Sequence, residues 1–135
     1  MEPIRVTARV VVPEAALRMR AVRSSGPGGQ NVNKVASKVE LRVELGRIDG
    51  LEGDARERLL QLAAERRDAD GLLLVVSQRT RDQSRNLEDA RRKVRALVLR
   101  ALVPPKPRRA TRPTAAAKRA RLRDKRRAAE RKAAR

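Results

Sequence analysis

At 135 residues and a formal net charge of +19, this chain is long enough for one ordinary domain and too basic to be indifferent to polyanions. It has no Cys, His, Phe, Trp or Tyr. That excludes disulfides, thiolate and imidazole catalysis, the commonest metal ligands, and the stacking of bases on aromatic rings by which many RNA-binding folds read single strands.

In chain order, Val6 to Val12 is rich in β-branched residues and is closed by Pro13, which predicts a strand. Leu17-Arg18-Met19-Arg20-Ala21-Val22-Arg23 alternates apolar and basic residues, the period of a strand with one buried face. Ser24-Ser25-Gly26-Pro27-Gly28-Gly29-Gln30 then breaks all regularity. Alternation returns at Val35 and is cleaner from Val39 to Leu45, with Val39, Leu41, Val43 and Leu45 facing one way and Glu40, Arg42 and Glu44 the other. Two strands therefore flank one long, glycine-rich loop.

Asp54-Ala55-Arg56-Glu57 has the spacing of a capping box, predicting a helix with Asp54 as its N-cap. Its apolar face is Ala55, Leu59 and Leu62 with either Leu60 or Ala63. Asp68-Ala69-Asp70-Gly71 ends it, and the apolar run Leu72 to Val76 predicts a central, buried strand. A last helix is expected from about Asn86 to Val103, with Leu87, Ala90, Val94, Leu97, Val98 and Ala101 on one stripe, stopped by Pro104-Pro105. This order predicts an α+β fold: a small, mostly antiparallel sheet covered on one face by two helices.

Three segments are expected: a folded domain over 1–103, a Pro/Arg-rich linker over 104–113 and a basic tail over 114–135. Residues 104–135 hold 14 basic and 2 acidic residues, so the tail carries most of the excess charge. The four prolines of 104–113 predict an extended chain, about 3.1 Å per residue and so about 30 Å long. Residues 114–135 favour helix but show no apolar stripe, which predicts disorder when free and ordering on RNA. An anionic membrane is a poorer partner, because the tail offers only Leu122 and alanines as an apolar face. No apolar run reaches a membrane span, and Met1-Glu2-Pro3-Ile4 lacks the features of a signal peptide, so the cytoplasm is the expected location.

Asp49, Glu52, Asp54, Asp68 and Asp70 sit beside predicted element ends, where capping and solvation account for them. Asp82, Glu88 and Asp89 complement the dipole of the last helix. No catalytic constellation is complete within the chain. The unusual element is Gly26-Pro27-Gly28-Gly29-Gln30, whose glycines let backbone approach another molecule closely and whose successive N–H groups can face an anion. The spacing is not that of a P-loop. Gln30 does not titrate near neutrality and works by positioning water or substrate. A two-residue turn would join the flanking strands, and a loop of this length implies use.

The run Ser24-Ser25-Gly26-Pro27-Gly28-Gly29-Gln30-Asn31-Val32-Asn33-Lys34, followed by Ser37 and Val39-Glu40-Leu41-Arg42, resembles the peptidyl-tRNA hydrolysis domain of class I peptide chain release factors. The likeness continues through Ser84-Arg85-Asn86-Leu87 and covers nearly all of residues 1–103. Full-length factors of that family also carry a stop-codon-reading domain, for which this sequence leaves no expected room. The chain is therefore more similar to the ribosome-rescue branch, the alternative ribosome-rescue factor B type and its mitochondrial relative.

That resemblance implies a ribosome-dependent peptidyl-tRNA hydrolase that cleaves a carboxylic ester independently of a stop codon. It implies Gly28, Gly29 and Gln30 as the catalytic tripeptide, with Ser25, Gly26, Pro27, Asn31, Asn33 and Lys34 shaping the loop. It places the tail in the mRNA entry channel, with Arg108, Arg109, Arg112, Lys118, Arg119, Arg121, Arg123, Lys125, Arg126, Arg127, Arg131 and Lys132 on RNA. The implied partners are the ribosome, through both 23S and 16S rRNA, and P-site peptidyl-tRNA. No cofactor, metal or membrane is implied, and the state is monomeric. The alternative is a non-enzymatic ribosomal protein that binds rRNA.

Overall fold

A computed structural model describes residues 1–23 and 36–135. The chain divides into two compact units, Met1–Pro104 and Pro105–Arg135.

The first unit opens with two short antiparallel strands, β1 (Ile4–Arg5) and β2 (Val11–Val12), with Ile4 opposite Val12. One continuous strand over Val6 to Val12 was the expectation, and the finding is a hairpin. The cause is Thr7, whose Oγ1 accepts from the N–H of Arg9 at 3.3 Å and of Val10 at 3.0 Å, while the Val10 carbonyl accepts from Val6 and Thr7. A hydroxyl that bonds its own backbone two or three residues on turns the chain instead of extending it.

The main sheet follows: β3 (Leu17–Val22), β4 (Lys38–Val43) and β5 (Leu73–Ser77), antiparallel in the order β3-β4-β5. The β3–β4 register runs from Leu17 opposite Val43 to Val22 opposite Lys38. Val39, Leu41 and Val43 are fully buried, and Leu45, in the 3-10 turn just after the strand, is buried with them. Strand β5 is at an edge, not central as its apolar run suggested. Its burial alternates, Leu73, Val75 and Ser77 inward and Leu74 and Val76 half-buried on the other face. There Leu74 and Val76 lie opposite Arg42 and Glu40, whose aliphatic stems border them.

Helix α1 spans Gly53–Ala63 and helix α2 spans Gln83–Leu102. Helix α2 lies on β4 and β5, and α1 packs against α2. Helix α1 begins one residue before Asp54: Glu52 occupies the N-cap position and no side chain caps it, so the predicted capping box does not form. Asp54 instead places its charge in the first turn, where it favours the helix dipole. Ala63 is buried and Leu60 is 39 % exposed, so Ala63 completes the inner face with Leu59. Helix α2 starts three residues before Asn86, because Asp82 Oδ1 accepts from the Ser84 N–H at 2.9 Å. Its stripe Ala90, Val94, Leu97, Val98 and Ala101 is buried as expected. A single aliphatic cluster joins both helices to both sheets.

Residues 104–113 have no helix or strand, and the second unit contains helix α3 (Ala115–Ala133), capped by Thr114 Oγ1 accepting from the Ala117 N–H at 3.1 Å. None of its residues is buried.

Candidate functional site

The connection from β3 to β4 begins after Val22 and ends before Lys38, and those two residues form the last pair of the ladder. Gly28, Gly29 and Gln30, with Ser25, Gly26, Pro27, Asn31, Asn33 and Lys34, lie outside the described residues. Their roots do not. On the return arm Ser37 is buried, and its carbonyl accepts from Asn86 Nδ2 at 2.7 Å. Asn86 is fully buried in the first turns of α2, and its amide also bonds the backbone of Thr80 in the β5–α2 connection.

Beside this clamp, Ser77 lies opposite Val39 and its Oγ donates to Asp89 Oδ2 at 2.7 Å. The same carboxylate oxygen pairs with Lys93 Nζ at 3.0 Å. The Ser77 hydroxyl, then the Lys93 ammonium, hold the Asp89 carboxyl below the ordinary carboxylate range. Asp89 thus ties β5 to α2 instead of merely complementing a dipole. Asp82 is likewise lowered, by the Ser84 hydroxyl and N–H that it caps. Among the described residues no group of acidic side chains could hold a metal ion.

Sequence reasoning missed Asn86 as a site residue, although a signal was present. It precedes Ala90 by four residues and Val94 by eight, so a polar side chain occupies the apolar stripe of its helix. A buried amide at such a position has to be fully hydrogen-bonded.

The second element is the basic helix. Lys118, Arg119, Arg121, Arg123, Lys125, Arg126, Arg127, Arg131 and Lys132 all lie on α3 and are exposed, while Arg108, Arg109 and Arg112 lie on the segment without helix or strand before it. At 3.6 residues per turn these cations point to every side of the helix. Only Asp124 and Glu130 interrupt them, and neither forms an ion pair among the described residues.

An RF-1 domain model matches residues 5–135. The chain belongs to the RF-1 domain family. Within it, the chain is 38 % identical over 130 residues to "Peptidyl-tRNA hydrolase ArfB" of Pseudomonas putida, covering 96 % of this chain and 94 % of that protein. It is 38 % identical over 95 residues to "Large ribosomal subunit protein mL62" of Mus musculus, covering 70 % of this chain and 46 % of the mouse protein. A third relative, "Meiotically up-regulated gene 82 protein" of Schizosaccharomyces pombe, is 34 % identical over 79 residues, covering 56 % and 43 %. The likeness to the first of these, like the RF-1 domain match itself, takes in the basic segment at the end of the chain. Among the described residues no helix of this RF-1 domain protein is long and apolar enough to cross a membrane.

Proposed function

We propose that this RF-1 domain protein is a ribosome-dependent peptidyl-tRNA hydrolase that frees nascent chains from stalled ribosomes without reading a stop codon. The observation that carries the reading is the Ser24–Lys34 Gly-Gly-Gln run borne between two paired strands, in a chain similar over almost its whole length to a peptidyl-tRNA hydrolase.

The ester between peptide and tRNA is already activated, so the catalyst has to place water and stabilise developing oxygen charge. The Gln30 backbone N–H is the donor to that oxygen, Gly28 and Gly29 allow the amide to be presented, and the Gln30 side chain admits and orients water. Ribosomal RNA and the tRNA supply the remainder of the site. The absence of His and Cys is consistent with this division of labour.

The tail enters the vacant mRNA channel of the small subunit, where 16S rRNA surrounds it, while the loop reaches the peptidyl transferase centre of 23S rRNA. Cations on every side of α3 suit an enclosing RNA channel better than a flat surface, which would engage one face. The protein acts as a monomer in the cytoplasm, with no cofactor.

The test is peptide release from ribosomes stalled on truncated messages, with messages extended past the decoding site for comparison. Gln30→Ala and Gly29→Ala are expected to keep ribosome binding within about twofold and to slow release by at least about 100-fold, the range for removing an oxyanion donor. Unchanged release in these variants sinks the loop assignment. The likeness to mL62 favours a second reading, an rRNA-binding ribosomal protein without activity. Ribosome binding without any release by the unaltered chain would decide for it.

A further inference from the structure

All four hydrogen-bonding positions of the Asn86 side chain are occupied. Nδ2 donates to the Ser37 carbonyl at 2.7 Å and the Thr80 carbonyl at 2.9 Å. Oδ1 accepts from the Thr80 N–H and the Thr80 hydroxyl, each at 2.9 Å. Two carbonyls and one N–H admit only one orientation of the amide, so its register is fixed by three backbone groups at once. A leucine at this point of the apolar stripe would pack against the core, but it would leave those groups without the partner that Asn86 supplies.

The amide joins two places far apart in sequence. Thr80 belongs to the β5–α2 connection and is tied to the helix cap, its Oγ1 accepting from the Asp82 N–H at 3.2 Å. Ser37 lies on the return arm of the long loop, one residue before β4 and beyond the last pair of the ladder, Val22 with Lys38. A ladder frays at its end, and here a side chain from the most deeply packed helix extends the hold one residue further into the loop. In the sequence Gln30 lies seven residues before Ser37.

We propose that Asn86 is a positioning residue for peptide release, locking the return arm to α2 so that the Gln30 amide is presented in one register. The proposal rests on the release reading above. It assigns the residue a part in rate, not in ribosome affinity, because the basic tail that anchors the chain is untouched by it.

The test is single-turnover release by the full chain, at saturating protein, on ribosomes stalled on a truncated message. Affinity for the same ribosomes is measured separately, at a temperature where circular dichroism shows each variant folded. Asn86→Asp keeps the shape but turns an oxygen toward the Ser37 and Thr80 carbonyls. The release rate constant is expected to fall about tenfold or more, with affinity within about twofold, since a small misplacement of a reacting group is costly in rate. A purely structural role would lower the thermal midpoint and leave the rate constant of the folded fraction unchanged.

Thr80→Val removes the hydroxyl and leaves the Ser37 bond. It is expected to slow release about threefold and to speed amide exchange at Ser37 and Lys38, with Thr80→Ser restoring both. Release within twofold of the unaltered chain by folded Asn86→Asp overturns the proposal. Where Asn86→Asp does not fold, unchanged rate and exchange in Thr80→Val overturn it. Failure of the unaltered chain to release peptide would instead overturn the release reading itself, and is seen in the same assay before any variant is tried.

Discussion

Asp68 serves three partners with one carboxylate. Oδ2 accepts from Arg42 Nε at 2.9 Å, and Oδ1 accepts from the N–H groups of Asp70 and Leu72 at 3.0 and 2.9 Å. Burial pushes its carboxyl up, but the Leu72 N–H, the Arg42 guanidinium and the Asp70 N–H together hold it below the ordinary range. Asp82 and Asp89 are lowered too. A carboxylate depressed on folding adds stability that is complete above its unfolded pKa, about 3.9, and is lost as the pH falls through the folded value. The thermal midpoint is therefore expected to be level between about pH 7 and pH 5 and to drop below about pH 4. Asp68→Asn should lower the midpoint at neutral pH and make the acid fall shallower. Parallel acid curves for the two proteins would contradict this. In the sequence Asp68 was legible as a turn residue, but its partner was not, because Arg42 is 26 positions away and only the packing of the β4 face brings them together.

Among the elements, the two main strands and the long helix were legible because their apolar periods are sustained over six or more residues. The short ones were not. Local bonds, the Thr7 hydroxyl foremost, override the β-branched composition of Val6–Val12, and the hairpin they form is held from below by Asp49, whose N–H and carbonyl both bond Val11. Gly50 makes that approach possible. Its φ is +77°, and a Cβ there would stand 2.0 Å from the Arg9 carbonyl oxygen. Left-handed strain and the collision add up, so Gly50→Ala is expected to cost roughly 2–5 kcal/mol in denaturant unfolding. A loss below about 1 kcal/mol would show that the hairpin can move away freely. The edge position of β5 was hidden for a different reason. An apolar run reads alike on a central strand and on an edge strand whose outer face is bordered by long charged side chains.

At the scale of the whole molecule, charge is spread unequally between the two units. The tail holds 14 of the 35 basic residues in 32 positions, without a core of its own. Deleting residues 104–135 is expected to leave a folded first unit and to weaken binding to stalled ribosomes in a salt-dependent way. Each phosphate that the tail no longer neutralises should make the slope of log affinity against log salt shallower by roughly 0.7–0.9. For about six such phosphates the slope changes by about 4 to 5. A truncated protein with the same slope and affinity at physiological salt would show that the tail is no anchor.

The sequence by itself settled the α+β class, the family and the unequal spread of charge, since each of these follows from local order: period, motif or composition. The tertiary structure alone decided that β4 is the middle strand, that Asp68 belongs to Arg42, and that a buried asparagine on α2 grips the arm of the Gly-Gly-Gln loop. Those are pairings between distant residues. A hydrogen bond from Asn86 to Ser37 depends on where a helix comes to rest on a sheet, and no stretch of neighbouring residues encodes that alone.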